Sequence, residues 1–322
     1  MKRILIIHTG GTISMLEDKD SGAVLQTTQH PLLGIPLKIE PSIHISEKVI
    51  FSLPSPQITM QHMMTLANFI RDRLTEFDGF IVTHGTDTLE ETAYFLDLVI
   101  ETSKPIVITG AMRSSNEVGS DALYNLISSI RVAGTEDANG KGVLIVMNDE
   151  IHTAVNCTKT STSNVATFQS PQYGPIGLIT KDHVLFHHTI LNRTTYPIKT
   201  INKNVLLLKA YAGMDGEIVK AILSCHPDGI VIEALGQGNL PKDMVHALQS
   251  CQTKNIPIVL VSRCYKGIVQ PTYGYEGGGK QLKEMGMIFA SDLTGQKARI
   301  KLMVVLESQS EYEHIVSEFE EK

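Results

Sequence analysis

The sequence of 322 residues lacks the features that mark several large classes of protein. It contains no Cys-x-x-Cys pair, which argues against a zinc knuckle or a redox dithiol, and its four cysteines are scattered, at Cys157, Cys225, Cys251 and Cys264. No apolar run reaches the length of a membrane span, and the run at residues 4–7 is too short for the core of a secretory signal. We therefore expect reduced cysteines and a cytoplasmic protein.

An excess of basic charge is also missing. Lys and Arg number 28 against 34 Asp and Glu, the formal net charge is -6, and no basic cluster occurs. Such a chain is a poor candidate for binding nucleic acid or an anionic membrane. Hydrophobic residues, at 42%, are frequent enough for a substantial buried core, and the length favours two domains of medium size.

Short apolar runs alternate with amphipathic segments in the first half of the chain. The runs end at turn residues and predict strands buried on both faces, at residues 4–7, 80–82, 105–108 and 143–147. Apolar side chains at three- and four-residue spacing predict helices at residues 59–74, 88–100 and 121–132. Thr59 is expected to cap the first helix, and Thr88 with Glu91 to form a capping box on the second. This alternation predicts a doubly wound, flavodoxin-like α/β domain with a parallel sheet.

The pattern weakens from about residue 181 to residue 204 and then resumes. Strands are predicted at residues 205–208, 229–232 and 258–261, and helices at residues 216–224, 241–250 and 298–306. We therefore predict a larger N-terminal α/β domain over residues 1–190, a linker over residues 191–204 and a smaller C-terminal α/β domain over residues 205–322.

The first motif with chemical character is Thr9-Gly10-Gly11-Thr12-Ile13, directly after the first predicted strand. Ligands of open α/β sheets collect at the carboxyl ends of strands, so a site is expected there. The glycines allow a sharp turn and a close approach to a substrate, and they leave the hydroxyl of Thr12 at the start of the next segment. The alternative is an ordinary turn at the end of a strand.

The second motif, Thr83-His84-Gly85-Thr86-Asp87-Thr88, has the same layout of strand, glycine turn and hydroxyl, followed by a helix. A helix N-terminus at Thr86 and Asp87 favours an anion or a developing oxyanion. In the alternative interpretation Asp87 or Thr88 merely caps the helix. We expect Thr88 to cap, which leaves Asp87 available, and we expect His84 to be a packed or turn-stabilising histidine rather than a base.

A third element is Lys159, which has hydroxyl residues close by in the sequence, at Thr153, Thr158, Thr160, Ser161 and Thr162. A lysine paired with a carboxylate could relay a proton or activate a hydroxyl, whereas the alternative is a solvated loop lysine. Two hydroxyls at strand ends, one acid and one lysine form the set that a nucleophilic hydrolase needs. The spacing itself shows only that Thr12 and Thr86 follow different strands.

Residues 6–14 and 79–89 resemble the two signature motifs of the bacterial-type L-asparaginase/glutaminase family. Further similarity is found at residues 107–113, 146–149, 158–168, 174–177, 236–240 and 296–299. The resemblance therefore extends over nearly the whole chain, and it includes two independent motifs in the right order.

The resemblance implies a threonine-nucleophile amidohydrolase. Thr12 matches the nucleophile, which attacks the side-chain amide of L-asparagine, releases ammonia and leaves an acyl-enzyme that water hydrolyses. Thr86, Asp87 and Lys159 match a second triad, in which the N–H of Thr86 is the expected oxyanion donor and Asp87 also binds the substrate α-amino group. Ser55 matches a serine that holds the α-carboxylate.

The resemblance also implies an oligomer. Asn239 matches a residue that the neighbouring subunit supplies, and Glu276 is a weaker match for a second such residue. The family's site lies between the N-terminal domain of one subunit and the C-terminal domain of another, which implies an intimate dimer and commonly a tetramer. No metal or organic cofactor is expected.

The sequence departs from the family in two places. Relatives carry a tyrosine on a mobile lid after the first motif, but residues 13–28 contain none, and Ala23 or Val24 stands at the expected position. We hypothesise that Tyr273 or Tyr275 of a partner subunit takes over. The polar lid sequence is typical of a mobile loop, and equally of an ordinary surface loop. Pro56 follows Ser55 where many relatives have a polar residue.

Several alternatives remain beside an L-asparaginase. Glutamine as the main substrate differs by one methylene, a discrimination of only about 1–3 kcal/mol. The amidase subunit of tRNA-dependent amidation shares these motifs but is expected to carry an extra N-terminal domain. A non-catalytic amino-acid-binding protein on the same fold would explain the missing tyrosine but not the intact Thr12, Thr86, Asp87 and Lys159. A nucleotide-binding protein is disfavoured because the Gly-x-Gly-x-x-Gly spacing is absent.

Overall fold

The computed structural model describes residues 1–27, 30–34, 41–189, 192–309 and 311–319. The chain divides into two compact units, Met1–Thr195 and Tyr196–Lys322. An eight-stranded sheet lies in the first unit and a four-stranded sheet in the second. Within the described ranges, no helix is both long enough and apolar enough to cross a membrane.

The first unit contains every strand and helix predicted for it, together with the unpredicted eleven-residue strand β4 and several short strands. The strands are β1 (Lys2–Gly10), β2 (Met15–Glu17), β3 (Val24–Gln26), β4 (Ile43–Leu53), β5 (Gly79–Thr83), β6 (Ile106–Thr109), β7 (Val143–Met147), β8 (Glu150–Thr153), β9 (Thr158–Lys159), β10 (Phe168–Gln169), β11 (Gly177–Ile179) and β12 (Val184–Phe186). The helices are α1 (Met60–Arg71), α2 (Leu89–Val99) and α3 (Ala122–Gly134). Short 3-10 turns occur at Thr12–Ser14, Ser55–Gln57 and Glu136–Ala138.

The main sheet has the strand order β12-β11-β8-β7-β6-β5-β1-β4. The five strands β1, β4, β5, β6 and β7 pair in parallel. In chain order their spatial sequence is 2-1-3-4-5, which is the flavodoxin-like arrangement. The doubly wound fold is thus confirmed, and β1 and β5 are the neighbouring strands at which the direction of winding changes.

Strands β8, β11 and β12 extend the parallel part of the sheet with an antiparallel edge. The chain reverses after β7 in a two-residue turn in which Asn148 and Asp149 have φ values of 50° and 64°. Two consecutive residues with positive φ are typical of the tight turns that join antiparallel strands.

Alternating side chains of the parallel strands build the core of the first unit. Ile4 and Ile6 of β1 belong to one fully buried cluster together with Leu126 and Ile130 of α3. Helix α2 contacts β6 and β7, and α1 packs on α2. Thr59 caps α1 as predicted: its hydroxyl accepts a hydrogen bond from the N–H of His62, whose ring in turn accepts one from the Thr59 N–H.

The second unit is a smaller α/β fold with a parallel sheet in the order β13-β14-β15-β16. Its strands are β13 (Val205–Lys209), β14 (Gly229–Ala234), β15 (Ile258–Ser262) and β16 (Ile288–Phe289). Its helices are α4 (Glu217–Ser224), α5 (Lys242–Gln252), α6 (Gly279–Glu284), α7 (Gly295–Ser308) and α8 (Tyr312–Phe319). The predicted strands and helices are all present, and β16, α6 and α8 are additional.

Candidate active site

Three loops meet at the carboxyl ends of β1, β4 and β5. A Cβ atom on Gly11 would overlap the backbone of Gly85, and one on Gly85 would lie 2.6 Å from the Cβ of Ser55. Only glycine permits so close an approach. Because Thr12 follows Gly11 and Thr86 follows Gly85, the fold brings the two motifs to one place, with Ser55 beside them. This place is the crevice at the switch point of the sheet, where ligands of such folds bind.

The nucleophile candidate Thr12 begins the 3-10 turn that follows β1 and is half-buried. Gly11 precedes it with φ 81° and ψ -179°, a backbone conformation that is essentially confined to glycine. The turn is held by the hydroxyl of Ser14, which donates to the Gly11 carbonyl at 2.7 Å. The local sequence thus fixes the direction in which the chain leaves the strand and presents Thr12.

Lys159 joins the second motif. Its Nζ donates to the hydroxyl of Thr86 at 3.0 Å and to Oδ1 of Asp87 at 2.7 Å. The side chain of Lys159 is 16% exposed, unlike that of a solvated loop lysine, whereas that of Asp87 is 59% exposed. The three residues therefore form a connected hydroxyl–ammonium–carboxylate group whose carboxylate faces the solvent.

Ser55 is buried and connects its own turn to the second motif. Its hydroxyl accepts a hydrogen bond from the backbone N–H of Asp87 at 3.2 Å. Its carbonyl accepts one from the hydroxyl of Thr88 at 2.9 Å. The prediction that the Thr88 side chain caps α2 is therefore wrong: Thr88 occupies the N-cap position, but its hydroxyl makes no capping bond and ties the helix start to Ser55 instead.

His84 supports the turn and is not placed to act as a base. Its Nδ1 donates to the carbonyl of Gly85 at 2.8 Å, so its Nε2 accepts from the hydroxyl of Thr92 at 2.9 Å. Burial lowers the pKa of His84 to about 4. The ring is neutral at physiological pH, as expected for a turn-stabilising histidine.

Sequence reasoning missed a buried pair of histidines behind the first motif. His8 and His30 lie with ring centroids 3.9 Å apart, and Nδ1 of His8 bonds the hydroxyl of Thr83. Burial, and to a lesser extent the charge of His30, lowers the pKa of His8 to about 3, and burial lowers that of His30 to about 4. These residues are 22 positions apart, and only the fold brings them together.

Sequence reasoning also missed Glu90, which lies in the first turn of α2 and is 5% exposed. Its Oε1 accepts hydrogen bonds from the hydroxyl of Thr158 at 3.0 Å and from the backbone N–H of Lys159 at 3.1 Å. The sequence did contain a signal for this residue. Glu90 follows Leu89 directly after the second motif, and the helical pattern allows its side chain to face the protein interior.

The lid after the first motif contains a short hairpin of β2 and β3. The side-chain amide of Asn116 bonds the backbone of Glu17 in β2, as the backbone of a neighbouring strand would. Its Oδ1 accepts a hydrogen bond from the N–H of Glu17 at 2.7 Å, and its Nδ2 donates one to the Glu17 carbonyl at 2.9 Å. Ala23 and Val24, at the position of the expected tyrosine, are exposed. Thr28, the last residue of the predicted lid, lies outside the described residues.

Asn239 and Glu276 belong to the second unit, whereas the other predicted site residues belong to the first, namely Thr12, Ser55, Thr86, Asp87 and Lys159. The side-chain oxygen of Asn239 accepts a hydrogen bond from the N–H of Gly279 at 3.1 Å. Glu276 is half exposed and pairs with His246 at 3.2 Å. In the described part of the chain, no group of three or more His, Cys, Asp and Glu residues could hold a metal ion.

Tyr273 and Tyr275 flank this part of the second unit. They are 45% and 55% exposed, and their ring centroids lie 5.6 Å apart. The carbonyl of Gly277 accepts a hydrogen bond from the N–H of Leu240, so the loop of the tyrosines lies against the loop of Asn239. The second unit thus carries one exposed surface with two aromatic rings and a carboxylate.

Comparisons with known proteins cover nearly the whole chain. Residues 3–192 match the model of the asparaginase N-terminal domain, and residues 204–319 match that of the glutaminase/asparaginase C-terminal domain. A probable L-asparaginase of Deinococcus radiodurans is 39% identical, over 95% of this chain and 93% of that protein. An L-asparaginase of Bacillus licheniformis is 33% identical, over 96% of this chain and 97% of that protein.

A solved structure matches as well. The crystal structure of a probable cytoplasmic L-asparaginase from Campylobacter jejuni aligns with a TM-score of 0.88 and 30% identity, over 99% of both chains. Both halves of the sequence match the same family in the same order, and the fold agrees over its full length. The chain therefore belongs to the asparaginase family of amidohydrolases.

Proposed function

We propose that this protein is an L-asparaginase that hydrolyses L-asparagine to L-aspartate and ammonia, with Thr12 as its nucleophile. The observation that carries the proposal is the meeting of two hydroxyl-bearing loops at the switch point of the sheet, one of them bonded to Lys159 and Asp87. The names of the relatives support asparagine as the substrate.

In the proposed reaction the hydroxyl oxygen of Thr12 attacks the carbon of the side-chain amide. The oxyanion is stabilised by the backbone N–H of Thr86, close to the positive end of α2. The amide C–N bond then breaks, the nitrogen takes up the proton that leaves Thr12, and ammonia departs from an aspartyl ester. Water hydrolyses this ester and restores Thr12. Lys159, between Thr86 and Asp87, is the proposed proton-transfer group.

The substrate's charged groups have complementary partners. Asp87 is the most exposed member of its triad and carries a second oxygen, so we assign it to the α-ammonium group. The hydroxyl of Ser55 accepts from the Asp87 N–H and therefore retains its own proton for donation to the α-carboxylate. Pro56 does not disturb this bond.

The proposal includes the assembly. Asn239 and Glu276 of a neighbouring subunit would complete the site of an intimate dimer, which pairs into a tetramer. Tyr273 or Tyr275 would take the place of the absent lid tyrosine. We place the enzyme in the cytoplasm, where it serves asparagine catabolism. The gap between the two family-model matches, at residues 193–203, supports the proposed linker over residues 191–204.

Ammonia release by the purified protein tests the proposal. L-asparagine and L-glutamine are assayed side by side, with Thr12→Ala as the control. We expect release from asparagine that disappears in the variant, and the ratio of the two rates measures the preference for asparagine. No release from either amide by a folded protein would contradict the proposal and favour an amino-acid-binding protein.

A further inference from the structure

Lys159 reaches the site from a strand outside the main sheet. It lies on β9, a strand of two residues that pairs only with the equally short β10 in the described part of the sheets. Its side chain has four rotatable bonds, and fixing them costs about 2 kcal/mol of rotamer entropy. The contacts of Nζ with Thr86 and Asp87 therefore require a well-placed backbone.

Glu90 supplies that placement. One carboxylate oxygen accepts both the hydroxyl of Thr158 at 3.0 Å and the N–H of Lys159 at 3.1 Å. Hydrogen bonds to a charged acceptor are about twice as strong as neutral ones, and Glu90 is buried, where water competes little. Strand β9 is thus bonded directly to the first turn of α2.

The same end of α2 holds Lys159 at two points. Asp87 binds the ammonium group, and Glu90, three residues later and one helical turn on, binds the backbone N–H of the same lysine. A buried carboxylate is costly, but the first turn of a helix favours negative charge and offsets part of that cost. Stability of α2 does not require a buried acid here, because the half-exposed Glu91 provides charge in the same turn.

We propose that Glu90 is a positioning residue of the active site, which fixes the backbone of Lys159 so that its ammonium group lies between Thr86 and Asp87. Glu90 acts through Lys159 and does not contact the substrate. This inference rests on the proposed function of the Thr86–Lys159–Asp87 triad, and it extends the site to a residue that neither motif chemistry nor family resemblance assigned.

The test compares Glu90→Ala and Glu90→Gln with Glu91→Gln, which removes a charge from the same helical turn. Glu90→Ala deletes both hydrogen bonds, and we expect kcat for asparagine to fall about 10- to 100-fold, the scale of a misplaced catalytic group, with a smaller change in KM. Glu90→Gln keeps an acceptor oxygen, so kcat is expected to recover to within about 5-fold of wild type. Glu91→Gln is expected to keep the wild-type kcat.

A second measurement reports on the environment of the Lys159 side chain and does not depend on catalytic activity. The ¹³Cε resonance of Lys159, assigned with Lys159→Arg in lysine-labelled protein, is expected to shift in Glu90→Ala and to stay unchanged in Glu91→Gln. A wild-type kcat together with an unshifted resonance in Glu90→Ala would overturn the inference and leave the proposed function intact.

If the wild-type protein releases no ammonia, the proposed function is wrong. The ¹³Cε resonance of Lys159 then tests by itself whether Glu90 positions the lysine. Thr158→Val serves if Glu90→Ala does not fold, because it removes one of the two bonds and keeps the carboxylate. A resonance shifted from its wild-type position in Thr158→Val supports the inference, and an unchanged resonance refutes it.

Discussion

Gly11 is the residue on which the geometry of the site depends most. Its backbone conformation is essentially limited to glycine, and a side chain would also overlap Gly85. Gly22, in the lid, has a positive φ of 68° but open space around it. A substitution at either position introduces backbone strain, but only one at Gly11 also introduces steric overlap. Comparing the two therefore separates the two effects.

We predict that Gly11→Ala lowers the free energy of unfolding by about 3 kcal/mol or more and abolishes ammonia release, because strain and overlap add. Gly22→Ala, with strain alone, should cost about 1–2 kcal/mol. Chemical denaturation and the activity assay check both. Equal effects of the two substitutions would show that the contact between the Gly11 and Gly85 loops does not matter.

The buried histidines predict a dependence of stability on pH. The pKa of His84 is about 4 in the folded protein against 6.5 when unperturbed, so between these values the unfolded chain binds more protons. Stability therefore rises with pH through this window and is lost as pH falls from about 6.5 towards 4. His8 and His30, also with lowered pKa values, act in the same direction.

Between these pH values the unfolded protein binds more protons than the folded protein. We expect replacement of His84 by Asn to reduce this difference by about one proton. The slope of unfolding free energy against pH between 4.5 and 6 should then fall by about 1.4 kcal/mol per pH unit, whatever the absolute stability of the variant. Urea denaturation across this range provides the slope. An identical slope in both proteins would mean that the ring is protonated in the folded state.

At the scale of elements, the sequence predicts strongly patterned segments well and weakly patterned or very short ones badly. Strands β1, β5, β6 and β7 are buried apolar runs, and α1 to α3 have clear helical periodicity. Strand β4 was missed because Glu47 and Lys48 interrupt its apolar residues in a strand that is only partly buried at the edge of the sheet. Strands β9 and β10, with two residues each, exist only through their tertiary contacts.

The lid hairpin yields a prediction at this scale. Asn116 makes two hydrogen bonds to the backbone of Glu17, so Asn116→Ala should free the hairpin. We expect faster proteolytic cleavage within residues 18–22 and a change in unfolding free energy of no more than about 1–2 kcal/mol, since the bonds are exposed. Asn164→Ala, in another exposed loop, is the control. Equal cleavage rates in wild type and Asn116→Ala would contradict a latching role.

At the scale of the whole molecule, the sequence motifs indicated most residues of the candidate site, but not the residues that hold them in position. Thr12, Thr86 and Asp87 stand next to glycine turns at strand ends, which is a local signal. Glu90 and Lys159 are 69 positions apart, and their hydrogen bond depends on how a helix and a remote hairpin meet. No periodicity or spacing encodes such a contact, so only the folded structure reveals it.

The absence of a lid tyrosine raises the question whether a tyrosine of a neighbouring subunit replaces it. Tyr273 and Tyr275 are exposed in the single chain, as side chains that act in a neighbouring subunit would be. If one of them activates Thr12, its replacement by Phe should lower turnover about 10²-fold, the scale of general base catalysis, with the oligomeric state unchanged. Steady-state kinetics and sedimentation check this. Wild-type rates in both Phe variants would exclude both tyrosines from this role.

The central claim is that Thr12 carries the acyl group. The most direct measurement is mass spectrometry of the protein quenched with acid during turnover of L-asparagine, followed by digestion and localisation of the adduct. We predict an aspartyl ester on Thr12 that is missing in Thr12→Ala. An ester on another residue, such as Thr86, would contradict the assignment of the nucleophile.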